Sequence, residues 1–354
     1  MTPLARLLAQ QIEVTVPMPI AQWMALSLGH PDHGYYITRD PLGRDFTTAP
    51  EISQVFGELI GAWCADLWAR AGSPPRVRLV ELGPGRGTLM ADLLRATARV
   101  PGFATAVTVH FVETSPVLRA AQAGRVPGAQ WHSTLAEVPD DAPLLLVANE
   151  FFDALPVRQF VRTGAGWRER LVGYDGSRFM PVIGTAPADA IVPGALWQAP
   201  VGSVFEPSPA STAIAAEIGT RLRAHGGAAL IIDYGHAGPV TGDTLQAVRG
   251  SAFADPFDAP GEVDLTAHVD FAALAAAASN YGVAACGPVE HGRWLAAMGI
   301  DARIAALAGR ATPAQATALR AGAARLTAPD AMGSLFKVLA LTGQGWPESA
   351  GFAG

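Results

Sequence analysis

The spacing of apolar positions changes twice along the chain. Over the first 75 residues it is helical, in "PIAQWMALSLGH" and again in "PEISQVFGELIGAWCADLWARAG". In the second stretch Pro50 suits a first helical turn, Glu51 suits the positive end of the helix dipole, and Gly72 suits a C-terminal end. The spacing therefore predicts one helix over 50–72. Between the two, "PDHGYYITRDPLGRDFTTAP" is dense in Gly, Pro and Asp and predicts a long ordered loop.

After Pro74-Pro75 short apolar runs alternate with amphipathic ones. "VRLVEL" reads as a buried strand and "TLMADLLRAT" as a helix. "AVTVHFVE" is a second strand, and "SPVLRAAQAG" a helix with Ser115 as N-cap and Pro116 at its first position. A short strand surrounds Gln130-Trp131, and "APLLLVANE", "AALIIDYG", "VAACGPV" and "LFKVLALT" follow as strands. Strands alternating with helices predict an α/β domain with a mostly parallel sheet. Residues 157 to 183 break the rhythm: "VRQFVRTGAGWRERLVGYDGSRFMPVI" predicts three short antiparallel strands joined by turns at "TGAG" and "YDGS".

Composition narrows the function classes. The 354 residues are half hydrophobic, enough for a substantial core in one large domain or two smaller ones. No apolar run approaches the roughly 20 residues of a membrane span, and "FAALAAAASNYG" is broken by Asn280 and Gly282. The first twenty residues lack the basic start and apolar core of a secretory signal, and the Arg- and Ser-richness of a transit peptide. Cys64 and Cys286 form no metal-ligand or redox spacing, and no metal is expected. Together these features fit a reducing cytoplasm, and the chain looks bacterial in composition. Net charge is −6, Lys337 is the only lysine, and there is no basic run. Neither nucleic acid nor membrane insertion is therefore expected as a partner.

The candidate chemistry sits at strand ends. "VELGPGRGT" places Gly83, Gly85 and Gly87 between a strand and a helix, where backbone N–H groups can face a ligand. No Lys follows, so a phosphate-binding P-loop is excluded; Thr88 stands where a dinucleotide fingerprint has its third glycine. Glu113 ends the next strand, 26 residues beyond Gly87, where a carboxylate can accept hydrogen bonds from vicinal ribose hydroxyls. Alternatively Glu113 only ends a strand. "VANEFFDALPV" ends an apolar strand in Asn149-Glu150, with Asp153 three residues on; two such carboxylates can converge on a cation, although Asp153 could instead cap the turn that follows.

The spacing E-x-G-x-G-x-G from Glu81 to Gly87 resembles the first motif of class I S-adenosylmethionine-dependent methyltransferases. With "GYYITRDPLGRDFTTAPEISQVFGELIGAW", "ANEFFDALPVRQF", "IIDYGH", "PGEVDLTAHVDF" and "MGSLFKVLAL", the chain resembles the MidA-like methyltransferases from about Leu4 to Thr342. That family includes a mitochondrial protein-arginine methyltransferase that supports respiratory complex I assembly. The resemblance is weakest after Pro156 and over 294–328.

The resemblance implies a Rossmann-like class I core at 76–354, with helices on both faces of the sheet and an antiparallel insertion at about 157–200. A helical extension and lid loop would occupy 1–75. It implies S-adenosyl-L-methionine as cofactor and Asp45 to Ser53 as a cover over it, with Thr48, Pro50 and Glu51 in contact. A simpler role for that stretch is a helix entry capped by Thr47 or Thr48. Glu81, Gly83, Pro84, Gly85, Gly87 and Thr88 would hold the cofactor from the glycine loop, Glu113, Ser133 and Leu135 from the following strands, and Asn149 and Glu150 from the fourth. Glu150, Asp153 and His236 are the candidate catalytic residues; Asp233 and Tyr234 could line the same opening, and His236 could equally be a loop histidine in a hydrogen bond.

The implied activity is methylation of arginine on a protein, a complex I subunit or another. A small-molecule methyltransferase and a non-catalytic, cofactor-binding assembly factor are the alternatives. The expected partner is a protein substrate; a homodimer is one option for the oligomeric state.

Overall fold

A computed structural model describes residues 1–40, 42 and 47–352. The chain packs as two compact units, and the division does not run at residue 75. One unit comprises residues 47–151, 214–235 and 274–354; the other comprises 1–46, 152–213 and 236–273.

The first unit is built on a mixed sheet. Its strands are β1 (Val77–Leu82), β2 (Val107–Val112), β3 (Gln130–His132), β4 (Leu144–Asn149), β5 (Gly227–His236), β6 (Ala284–Glu290) and β7 (Phe336–Thr342). Their order across the sheet is β6-β7-β5-β4-β1-β2-β3, with β7 antiparallel to both neighbours and β1 to β5 mutually parallel. Every residue of β4 is buried, as expected of a strand of pure hydrocarbon in the middle of a parallel sheet. The chain order reverses between β1 and β4. In open α/β sheets that reversal opens a crevice at the carboxyl ends of the strands.

Three helices frame that edge: α1 (Gln54–Arg70), α2 (Thr88–Thr97) and α3 (Pro116–Arg125). Ser115 caps α3 by accepting from Leu118 N at 3.3 Å, with Pro116 at the first position as expected. The helix expected over 50–72 is interrupted. Ser53 is extended (φ −155°, ψ 128°), so a short turn, Ala49–Ile52, precedes α1, and the Ser53 hydroxyl accepts from Val55 N at 3.3 Å. A hydroxyl that bonds the backbone two residues on starts a helix more readily than it continues one. Close packing of α1 on α2 depends on Gly57 and Gly61: a Cβ on Gly57 would lie 2.9 Å from Leu89 O, and one on Gly61 3.0 Å from Leu93 O.

In the second unit, helices Pro3–Val14 and Ile20–Gly29 share a core with the insertion, including Leu4, Leu8, Trp23, Tyr35, Val172, Val263 and Leu265. The expected antiparallel strands are Gln159–Thr163, Gly166–Tyr174 and Phe179–Pro187. Met18–Pro19 and Val204–Phe205 extend this sheet. The segment expected as loop carries a short helix, Tyr35–Thr38. A small sheet of Gln246–Arg249, Ala252–Ala254 and Asp264–Thr266 gave no signal in the sequence pattern. Among the described residues no helix is long and apolar enough to cross a membrane.

Candidate functional site

The register of β1, β2, β4 and β5 decides which side chains share a face. Glu81 lies beside Phe111 and Val147, and Asn149 beside Ile232. Side chains alternate along a strand. Glu81, Asn149, Glu113 and Tyr234 therefore belong to one face at the carboxyl edge, the face whose inner part packs Leu79, Val147 and Ile232 against α1.

The glycine loop leaves β1 at this edge. Gly83, Gly85 and Gly87 all have left-handed backbones (φ +60°, +54° and +78°), which side-chain-bearing residues adopt only with strain. A Cβ on Gly83 would lie 2.9 Å from the Phe151 ring, so space as well as torsion excludes a side chain. Pro84 accepts from Gly87 N at 2.7 Å, closing the turn from which α2 starts at Thr88.

Three buried acceptors border this loop. Glu81 is buried, and its Oε2 has no hydrogen-bond partner in the protein; burial pushes its carboxyl pKa well up. Asn149 is also buried; its Nδ2 donates to Glu150 Oε1 at 3.1 Å, while Oδ1 lacks a partner. An unpaired buried acceptor costs about 1–3 kcal/mol unless a ligand supplies the donor. Two unpartnered oxygens on one face suit a polar ligand with hydrogen-bonding groups of its own. Glu113 accepts from Ser115 N at 2.7 Å and from Gln122 Nε2 at 3.3 Å. Burial raises its pKa against the opposing effect of those two bonds. Each of its oxygens keeps a further acceptor site, as a vicinal diol requires.

The Ala49–Ile52 turn is tied to this edge at both ends. Glu150 has a left-handed backbone (φ +51°), and its Oε1 accepts from Ala49 N at 3.0 Å. Thr48 occupies the N-cap position without a side-chain capping bond, so the cap expected from Thr47 or Thr48 is supplied by Glu150 instead. Pro50 lies in the first turn; Glu51 accepts from Thr88 Oγ1 at 2.5 Å and lies 3.6 Å from Arg125 Nη1, which also donates to Thr88 Oγ1. Asp45, at the start of the expected cover, lies outside the described residues.

Ser133 and Leu135 follow β3. Ser133 Oγ accepts from Arg119 Nη2 at 3.2 Å; Leu135 is buried, and its carbonyl accepts from Arg221 at 2.8 Å. Asp233, wholly buried in β5, accepts from Phe151 N at 3.2 Å and Tyr234 N at 3.0 Å, which braces the chain just beyond Glu150. Asp153 and His236 belong to the other unit. The buried Asp153 accepts from Ala267 N at 2.9 Å through its carbonyl, and its charge, with that of Asp264, adds to burial in raising the pKa of Tyr36. Tyr36 Oη donates to Asp264 Oδ1 at 2.7 Å. His236 Nδ1 lies 2.5 Å from Gly238 O. A carbonyl only accepts, so the ring donates to it through Nδ1. This is the hydrogen-bonded loop histidine that the sequence allowed.

Gln122, Trp131 and Arg125 also border this edge, through Gly85 O, Gln122 Oε1 and Thr88 Oγ1. Gln122 carried one signal: it falls four residues after Leu118 on the buried stripe of α3, a polar residue at an apolar position.

Residues 59–289 match a family described as "Putative S-adenosyl-L-methionine-dependent methyltransferase". The chain is 39% identical to "Protein arginine methyltransferase NDUFAF7 homolog, mitochondrial" of Drosophila melanogaster, over 96% of this chain and 84% of that protein. Identity and coverage are the same for "Protein arginine methyltransferase NDUFAF7, mitochondrial" of Mus musculus. A solved structure of a COG1565 superfamily member from Burkholderia thailandensis, bound to S-adenosyl-homocysteine, superposes with a TM-score of 0.82 at 27% identity, over 98% of this chain and 93% of that one. The expectation of a bacterial cytoplasmic protein is corrected here, because these curated relatives are mitochondrial proteins. On sequence match and fold together, the chain belongs to this family of S-adenosyl-L-methionine-dependent methyltransferases, the MidA-like enzymes.

Proposed function

We propose that this enzyme transfers a methyl group to an arginine side chain of a protein. The observation that carries the reading is the 39% identity to proteins named protein arginine methyltransferases over 96% of the chain. The residues fit the chemistry. Bound S-adenosylmethionine supplies an electrophilic methyl group. Glu113 would accept the ribose hydroxyls, the unpartnered oxygens of Glu81 and Asn149 would meet polar groups of the cofactor, and the glycine loop would leave room for it beside the main chain. Glu51 and Glu150 hold the 49–52 turn, which would cover the bound cofactor and keep water from the site.

An arginine arrives fully charged, with a pKa above about 12, and needs carboxylates that orient one nitrogen. Glu150 and Asp153 are assigned that role, and His236 Nε2 is the candidate acceptor for the proton that the methylated nitrogen loses. The strands 159–187 belong to the part of the chain assigned to docking the acceptor protein. The test is transfer of labelled methyl from the cofactor into the proteins of a lysate from cells lacking the enzyme, with the modified residue read by mass spectrometry. Methylarginine is expected. Label confined to small molecules would sink the arginine assignment and leave the methyltransferase standing.

A further inference from the structure

Gln122 is wholly buried, and its amide is engaged at both ends. Nε2 donates to Gly85 O at 2.6 Å and to Glu113 Oε2 at 3.3 Å; Oε1 accepts from Trp131 Nε1 at 2.8 Å. A Cβ on Gly87 would lie 3.5 Å from Gln122 Cα and Cγ, so the glycine loop packs directly on this side chain. The orientation of the amide is fixed. An indole N–H can only donate, so the oxygen must face Trp131 and the NH₂ must face Gly85 and Glu113.

We propose that Gln122 is a positioning residue for the cofactor: by donating to the Gly85 carbonyl and the Glu113 carboxylate together, it sets the glycine loop and the ribose-accepting group at a fixed separation and tilt. The inference rests on Glu113 receiving the ribose. Glu113 Oε1 is held by Ser115 N at 2.7 Å. One anchor leaves a carboxylate free to turn about its last torsion, which is broad and roughly two-fold. The second anchor, on Oε2, stops that rotation and turns the remaining acceptor sites toward a diol. Trp131 in turn keeps the amide from flipping. The two loops leave different strands, β1 and β2, and among the described residues Gln122 is a side chain that bonds to both.

The experiment compares S-adenosylhomocysteine with its 2′,3′-dideoxyribose analogue by calorimetry. Wild type should prefer the parent by about ten-fold or more, the scale of hydrogen bonds to a charged acceptor. Gln122→Met keeps length and apolar contacts but removes the donor. It should weaken both ligands through the glycine loop, but the parent about ten-fold more than the analogue, so that the preference collapses. In a Glu113→Ala background the same change should weaken the parent no more than the analogue, because the ribose part of the coupling is already gone. A folded Gln122→Met protein with the wild-type preference would reduce Gln122 to packing and overturn the proposal. A wild type without any preference would remove the ribose from Glu113, and the proposal would fall with that assignment. If Gln122→Met does not fold, Trp131→Phe frees the amide from its other side and should narrow the preference in the same direction; an unaltered preference there also overturns it.

Discussion

Replacing Glu113 by Gln tests the cofactor site with little change of shape. The side chain is buried and its pKa is raised, chiefly by burial, so the charged form is held at a cost to folding. The amide removes that cost. It still offers an oxygen to Ser115 N, which Glu113 now satisfies at 2.7 Å. Its NH₂ then faces Gln122 Nε2, now 3.3 Å from the carboxylate, and two donors oppose each other. The cofactor-free protein should therefore melt close to wild type. Binding should suffer, because a diol that meets one amide oxygen and one amide NH₂ loses charge-assisted bonds worth about 1.5–3 kcal/mol. At about 1.4 kcal/mol per factor of ten, that is roughly 10- to 150-fold in Kd.

The pH dependence has a definite sign. Cofactor affinity should rise with pH through a midpoint above the ordinary carboxylate value of 4.5, because only the ionised form accepts both hydroxyls. The stability of the cofactor-free protein should fall over the same window, as for any acid whose pKa the fold raises. In Glu113→Gln both dependences should be shallower than in wild type, by the part that Glu113 contributes. Calorimetric titration with S-adenosylhomocysteine between about pH 5 and 8, the range in which folded proteins are usually most stable, reads them. A Kd within two-fold of wild type at all pH values would refute the reasoning.

Gly85→Val should abolish cofactor binding in a folded protein, since φ +54° strains any β-branched residue; unchanged affinity by calorimetry would take the loop out of the site. Glu150→Gln and Asp153→Asn should each lower the rate of methyl transfer strongly while the cofactor Kd moves little. A silent Asp153→Asn in a single-turnover assay would remove it from the acceptor grip. Glu58, buried between Arg95 at 2.9 Å and Arg303 at 2.7 Å, has a pKa that burial raises but the two arginines bring below its ordinary value. Its contribution is present above the unfolded-state pKa and is lost as pH falls through the folded one. Glu58→Ala should cost about 1–2 kcal/mol in chemical denaturation at pH 7, less than a fully buried pair because both arginines reach water, with the difference from wild type shrinking in acid.

The sequence by itself determined the elements of the sheet and the identity of the chemistry. Leu144–Asn149 is apolar up to its last residue, as a central parallel strand must be, and three glycines at alternate positions just beyond Val77–Leu82 marked a place of close backbone approach. Periodicity is local, and these signals are local. The sequence could not show that Ser53 breaks the helix over 50–72, because the competing bond is to a residue two positions away rather than to a spacing. Nor could it show that the helices Pro3–Val14 and Ile20–Gly29 share a core with the strands that follow Pro156, since core contacts between distant segments leave no period. The tertiary structure also decided the partners of the carboxylates. Glu150 takes Ala49 N and Glu51 takes Thr88, across 101 and 37 residues. Gln122 joins Gly85 to Glu113 because parallel neighbours β1 and β2 bring two loop ends to one edge. A hydrogen bond needs its two groups about 3 Å apart, and only the folded chain sets distances of that kind.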